Sequence, residues 1–401
     1  MRQLRLGHPA LGRASAGLAV VLALNCNGPE PGEAPATVRD SLGVAVVTNF
    51  APSPADLNPQ VSDTPLVTIG EVDGPSEYTF QRIDQISFWP SGGFLVLDRG
   101  AIRLRRYTDD GRHELSFGRQ GSGPGEFRRL AGALVAGDSI LVHDGSLQRL
   151  SVFDTTGIVR RTVAMDPTGD PLHPLSFYWL AGVVGSDLVL VAKAASADMR
   201  PEPTEYWDVS ETLAYNPDGT LEDTIAEPAG MDIYATPERA GSVIYGRVSS
   251  WAVGGERIYM TDGGEPYIRV YDSAGELERI IRVARPRTPV DRETVEELQR
   301  LRTDPETWGS AAGASWAAAE YEPSISGLVL DDEGLIWAEE WASEATVPRS
   351  WLIFDLEGQW VGTAESPPHF RATAISGGRM AGIWRDPLTG VEMVHVYAVS
   401  Y

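Results

Sequence analysis

The chain has 401 residues, 42% of them hydrophobic, enough to bury one large core or two smaller ones. Its 33 basic against 56 acidic residues leave a formal charge of -23, which repels a polyanion, so nucleic acid is not an expected partner. The 42 glycines and 28 prolines punctuate short apolar runs at strand-and-turn intervals and exclude an all-α fold.

In chain order, Arg2, Arg5 and Arg13 precede the apolar stretch Ala16 to Leu24, which is too short to span a bilayer, and Cys26 follows at once. Residues 1–26 read as a signal peptide. The arrangement resembles a bacterial lipoprotein signal, in which the cysteine is lipidated; Asn25 departs from the small residue that family prefers there. Ordinary cleavage and secretion, or a structural thiol, are the alternatives for Cys26. Residues 27–40, rich in Pro, Gly and acids, are expected to be a solvated tether, so the protein would be extracytoplasmic: outer-membrane anchored, periplasmic or secreted. As Cys26 is the sole cysteine, no internal disulfide or Cys-based zinc site can form. Lys193, the sole lysine, lies in no phosphate-loop, Schiff-base or kinase motif; an arginine-preferring genome also accounts for that bias.

Residues 41–401 carry an internal repeat. An aromatic stands four positions before a turn glycine in Tyr107–Gly111, Phe153–Gly157, Tyr215–Gly219, Tyr271–Gly275 and Phe354–Gly358. The aromatic ends a strand on its buried face, and the glycine accepts a positive φ. Six apolar hairpins stand at a second phase, ending at Asp98, Asp144, Ala192, Asp262, Glu339 and Asp386. Together they predict six four-stranded sheets, an all-β, six-bladed β-propeller. The N-terminal strand "LVTIG" is expected to complete the last blade beside "MVHVYAVSY".

The loop "FGRQGSGPGEF" (Phe117 to Phe127), with a weaker copy at Ile69 to Phe80, resembles the NHL-repeat propellers. The stretch "SLGVAVVTN" before it is similar to six-bladed propeller lipoproteins of environmental bacteria. The resemblance implies that this Gly-rich loop leads from the outer strand of one blade to the inner strand of the next. Six-bladed relatives also include calcium-dependent lactonases and copper- or zinc-dependent lyases, with metal ligands along the axis.

The long inserts fall only in second-to-third-strand or sheet-to-sheet connections, which share one face of a propeller: about 194–210, 228–245 and 285–323. The last contains the one expected helix, capped by Asp291, with Val295, Leu298 and Leu301 on one stripe. A ligand is therefore expected on this face. Candidate residues are His173 and His369 at inner strands, Trp308 and Trp316 at the rim, and the recurring acids Asp98, Asp144, Asp262 and Glu339. The acids either hold Ca²⁺ or a cationic ligand, or cap their own turns. The tryptophans either stack on a ligand or pack into the propeller. No His-Glu-x-x-His, serine elbow or other catalytic motif occurs. A monomeric binding module for a protein, peptide or glycan is the leading expectation, touching the membrane only through its lipid. A metal-dependent hydrolase or lyase with its site in the central channel is the alternative.

Overall fold

The computed structural model describes residues 34–53, 57–165, 177–185, 188–194, 200–224, 229–238, 240–303 and 316–401. The signal segment with Cys26, the tether up to residue 33, His173 and Trp308 lie outside the described residues.

Each repeated aromatic and glycine closes an antiparallel hairpin. In the second copy the Gly157 N–H donates to the Asp154 carbonyl and the Asp154 N–H to the Ile158 carbonyl, both at 3.0 Å. The Asp154 carboxylate accepts the Thr156 and Ile158 N–H groups. Gly111, Gly157, Gly219, Gly275 and Gly358 all have φ between +76° and +87°, and the ladder shifts by one residue beside each. This is a type I turn with a glycine bulge. The five aromatics four residues earlier are at most 2% exposed.

The described residues form six sheets of four or more strands, five of them built around these hairpins. Sheet one is Ile83–Phe88, Phe94–Asp98, Arg103–Tyr107 and His113–Phe117; sheet two is Leu130–Ala136, Ser139–Asp144, Arg149–Asp154 and Val159–Ala164. Sheet three starts at Phe177–Val184, sheet four at Ser250–Gly254, sheet five at Ile325–Leu330 and sheet six at Phe370–Ser376. The first strand of each sheet packs against the first strand of the next, and that of sheet six against that of sheet one. This nearly all-β arrangement of face-packed sheets is that of a β-propeller. Apolar layers fill the spaces between sheets. Leu97, Phe117, Phe127 and Phe153 lie between sheets one and two, and Ile69, Ile83, Phe94 and Val394 between sheets six and one.

Two N-terminal segments dock on distant sheets. Val67–Ile69 pairs antiparallel with Glu392–Ser400, the third strand of sheet six. The hairpin Ala36–Ser41 and Val44–Asn49, turning at Leu42 and Gly43 with φ of +56° and +89°, adds to the outer edge of sheet four, Val44–Asn49 running parallel to Leu277–Val283. Its first strand starts within the stretch read as tether. Buried Asn49 fixes the dock, donating to the carbonyls of Arg282 and Gly358 and accepting the Trp360 N–H.

The sequence places an insert at about 194–210, yet Thr204–Tyr215 is one 12-residue strand. Its first half pairs with Ala229–Ala235, which pairs in turn with Ala240–Ser242. Sheet three is lengthened rather than interrupted, because backbone polar groups of a packed segment need partners. The loop Phe117 to Phe127 is tied by the Glu126 carboxylate, which accepts the Gly123 and Ser122 N–H groups and the Arg119 guanidinium. These bonds, that to Gly123 foremost, hold the carboxyl below the usual carboxylate range. Phe127 is fully buried against Phe153.

The turn glycines also set how closely the sheets stack. A Cβ on Gly219 would lie 2.1 Å from the Ala164 carbonyl oxygen on the outer strand of sheet two, whereas one on Gly137, also at positive φ, would meet nothing within 4 Å. Gly219→Ala is expected to cost about 3 kcal/mol, combining left-handed strain with overpacking, and Gly137→Ala about 1 kcal/mol. Urea denaturation of the two variants checks this; equal losses would show that the close approach does not constrain the stack.

Candidate functional site

The first strands converge on a cavity of about 910 Å³ lined by residues from all six sheets. Five of these strands carry a ladder irregularity near their start: between Ile83 and Gln85, Leu130 and Ala133, Leu180 and Gly182, Ile325 and Gly327, and Ala372 and Ala374. A bulge leaves one residue out of the pairing and re-aims it. Small residues let the strands close in. A Cβ on Gly132 would come 2.8 Å from the Leu180 Cβ, and one on Gly182 2.3 Å from the Val253 Cβ.

The lining is chemically mixed. Trp179, Trp251 and Trp351 contribute aromatic surface, Ser210, Ser249, Ser250, Ser326 and Thr373 hydroxyl groups, and Asp84, Asp208, Glu339 and Arg371 charge. Thr373 Oγ accepts the Ile86 N–H at 3.3 Å and donates to the Ile86 carbonyl at 3.0 Å, joining sheets six and one at the rim. Arg371 donates to the Asp84 carbonyl at 3.1 Å, and Arg99 pairs with the Asp84 carboxylate at 3.3 Å. Glu339 is largely buried, and burial raises its pKa above the ordinary carboxylate value against the opposing charge of Arg349, 3.8 Å away.

The cavity lies where the first strands begin, the end to which the sheet-to-sheet and second-to-third-strand connections return. Asp208, Ser210, Gly230 and Met231 from the extension of sheet three line its mouth. Asp291 caps the helix Arg292–Thr303 through the Thr294 N–H and hydroxyl. Gln299 then donates to the Trp316 carbonyl, and the Trp316 indole N–H donates to the Ser242 carbonyl at 2.9 Å. Trp316 is 4% exposed and stacks edge-on with Tyr234, so this ring braces one insert on another.

The recurring acids divide. Asp98 is fully buried and accepts the N–H groups of Gln81, Arg82 and Ala101 together with the Arg105 guanidinium at 2.7 Å. Asp144 accepts the N–H groups of Arg128, Arg129, Ser146 and Leu147. In both, the carboxylate clamps the strand entry to its turn. Asp262 accepts the Gly264 N–H and the Tyr267 hydroxyl and lies 3.6 Å from Arg247. Of the four, Glu339 alone lines the cavity. Among the described residues no three His, Cys, Asp or Glu side chains converge as a metal site would require.

His369, at φ +59°, lies in an adjoining cleft of about 870 Å³ that shares Asp84 and Arg371 with the cavity. Asp84, Gln85, Arg371 and the three channel tryptophans were not among the residues singled out from the sequence. Their signal was present as a small or polar pair just inside an inner strand: Asp84-Gln85, Ala131-Gly132, Ala181-Gly182, Ser326-Gly327 and Ala372-Thr373.

No family model matches the chain, and no curated protein does. Solved structures do. A member of the DUF4221 family from Bacteroides vulgatus superposes with a TM-score of 0.51 at 10% identity, covering 86% of this chain and 99% of that one. A Bacteroides fragilis protein named as exported gives 0.48 at 10% identity, covering 86% and 98%. Virginiamycin B lyase from Staphylococcus aureus gives 0.40 at 8% identity, covering 78% and 94%. At such identities the likeness shows the fold alone. No helix among the described residues is long and apolar enough to cross a membrane.

Two other histidines are buried in the sheets. His143 has no hydrogen-bond partner at Nδ1 among the described residues, and burial lowers its pKa from 6.5 to about 4. His395, stacked on Trp384 and bonded to the Tyr397 hydroxyl, is also lowered to about 4 by burial. Between pH 4 and 6.5 the unfolded chain therefore binds more protons than the folded one, and stability falls as pH falls. For His143 the slope approaches about 1.4 kcal/mol per pH unit. Urea midpoints at pH 7.5, 6 and 5 should decline progressively, and His143→Leu should flatten the decline; a midpoint constant over this range would contradict the buried neutral imidazole.

Proposed function

We propose that the protein is an extracytoplasmic six-bladed propeller that binds a small organic ligand in its axial channel, on the face that carries the inserts. The six sheets are read as six blades, with Val67–Ile69 closing the ring against Glu392–Ser400. The observation that carries this reading is the lining itself. Three tryptophans, five hydroxyls and four charged groups converge from six sheets in a cavity sized for a ligand. Aromatic faces beside hydroxyls and carboxylates suit a glycan or a peptide end. Cys26 is read as the lipid attachment point and residues after it as the link to the membrane. The NHL-like loop Phe117 to Phe127 serves this scaffold by wedging Phe127 between sheets.

Metal-dependent hydrolase or lyase chemistry at the same channel is the second reading, favoured by the raised pKa of Glu339, a property shared by general acids. It requires carboxylates or histidines to converge on one ion.

The readings part in the test. Purified protein should contain no stoichiometric metal and melt identically with and without EDTA. A saccharide or peptide present at 100 times its Kd should stabilise it by about 2.7 kcal/mol. Trp179→Ala should weaken that binding about tenfold, as expected for a lost stacking face. A bound metal whose removal lowers the melting temperature would favour the enzyme, and binding indifferent to Trp179→Ala would remove the channel from the account. For the anchor, Cys26→Ala is expected to shift the protein from the membrane to the soluble fraction; unchanged fractionation would refute lipidation.

A further inference from the structure

The cleft beside the channel has the opposite electrical character to the rest of the molecule. Arg82, Arg349, Arg371 and Arg385 line it, with Asp84 and Glu392 as its acids. Both acids are engaged: Asp84 with Arg99, and Glu392 with the Ile83 N–H at 2.7 Å and with Arg385 at 2.7 Å. Arg82 is exposed and makes no side-chain hydrogen bond or ion pair among the described residues. Arg385 spends one terminal nitrogen on Glu392, and its side chain is 66% exposed. The cleft thus holds a local excess of cations in a chain of charge -23. The channel next to it has the reverse balance, with Asp84, Asp208 and Glu339 against Arg371.

The backbone fixes this geometry. The His369 N–H donates to the Ala345 carbonyl, and its own carbonyl accepts the Arg385 N–H, both at 2.9 Å. Those bonds hold His369 in the left-handed region and seat Arg385 at the cleft wall. Arg82 is placed by the Asp98 clamp, which accepts its N–H.

We propose that the cleft is an anion subsite continuous with the channel, and that the ligand is an acidic saccharide. Its carboxylate is held by Arg82 and Arg385, and its rings pass over the shared Asp84 and Arg371 to Trp179 and Trp251. The planar guanidinium fork matches a carboxylate bidentately, through charge-assisted hydrogen bonds. Elsewhere the net negative charge repels such a ligand, so the arginines select where it can dock. The inference rests on the channel reading and adds the charge of what the channel takes.

The test uses a panel of uronic-acid trisaccharides and their methyl esters, which keep the rings and remove the charge, titrated calorimetrically at fixed ionic strength into the full chain. At least one acid should bind tenfold or more tighter than its ester. Arg82→Gln and Arg385→Gln should each weaken the acid about tenfold and leave the ester unchanged, because an ionic hydrogen bond has been lost. Trp179→Ala should weaken both. Thermal melts check that the arginine variants fold; Arg82→Ala and Arg385→Lys provide second substitutions. If acid and ester bind alike and ignore the arginine changes, the anion subsite is wrong while the channel stands. If no member of the panel binds, the acidic-saccharide assignment is overturned, and the channel reading is judged by its own ligand and metal experiments.

Discussion

The fold depends on how closely one sheet may approach the next, and that distance is set where a side chain is missing. Gly157 lies over Leu115 and Phe117 of the preceding sheet, Gly219 over Val163 and Ala164, and Gly358 over Ile281. Gly111 takes the same position against Val67 and Ile69, the segment paired with sheet six. A single backbone requirement, positive φ after a type I turn, thus coincides with a packing requirement, the absence of Cβ. The buried aromatic four residues before each glycine fills the layer that the close approach creates. Glycines play the same part at the axis, where Gly132 and Gly182 let first strands meet. The cavity is the space left when six such strands converge and their bulges turn residues inward.

The acids show how burial sorts one residue type into different work. A carboxylate that accepts four donors, as Asp98 and Asp144 do, is held by its own turn and acts as a clamp. Glu339 stands at the corresponding strand end in sheet five but faces the axis, and Gly327 opposite leaves room for its carboxyl, with a Cβ there only 3.0 Å from Oε2. Position in the repeat therefore does not determine role; the donors supplied by the next connection do. Sheets one and two have those donors in Arg82 and Arg129 and their neighbours, whereas Glu339 meets Ser326 and Arg349.

Much of the sheet pattern was legible because it is written in short-range terms: an aromatic, an Asp or Asn, and a glycine at fixed spacing make one kind of turn. The pairing of Val67–Ile69 with the last long strand followed from counting strands. The hairpin Ala36–Asn49 on sheet four was not legible, since nothing local to "SLGVAVVTN" specifies a partner more than 200 residues away; buried Asn49 makes that choice through three bonds to groups around Arg282, Gly358 and Trp360. The residues that line the cavity were not legible in the sequence. Recurrence drew attention to Asp98 and Asp144, and recurrence is what a structural clamp produces. The residues that reach the axis differ from sheet to sheet, so no repeat marks them.

That asymmetry extends to the electrostatics. Sheets three and four bring Asp208, Trp179 and Trp251 to the cavity, and sheets five, six and one bring Glu339, Arg371 and Asp84, with the basic cleft beside the last two. The two hollows meet at Asp84 and Arg371, whose contact runs from guanidinium to backbone carbonyl rather than between the charges, while the Asp84 carboxylate turns to Arg99. Arg371 therefore keeps donors for a ligand, and the border carries a cation flanked by a paired acid. From the cavity to the cleft the lining passes from aromatic and hydroxyl surface to guanidinium groups. Because these groups are seated by strand pairing and by the Asp98 clamp, the polarity of the groove is a property of the scaffold and exists before anything binds.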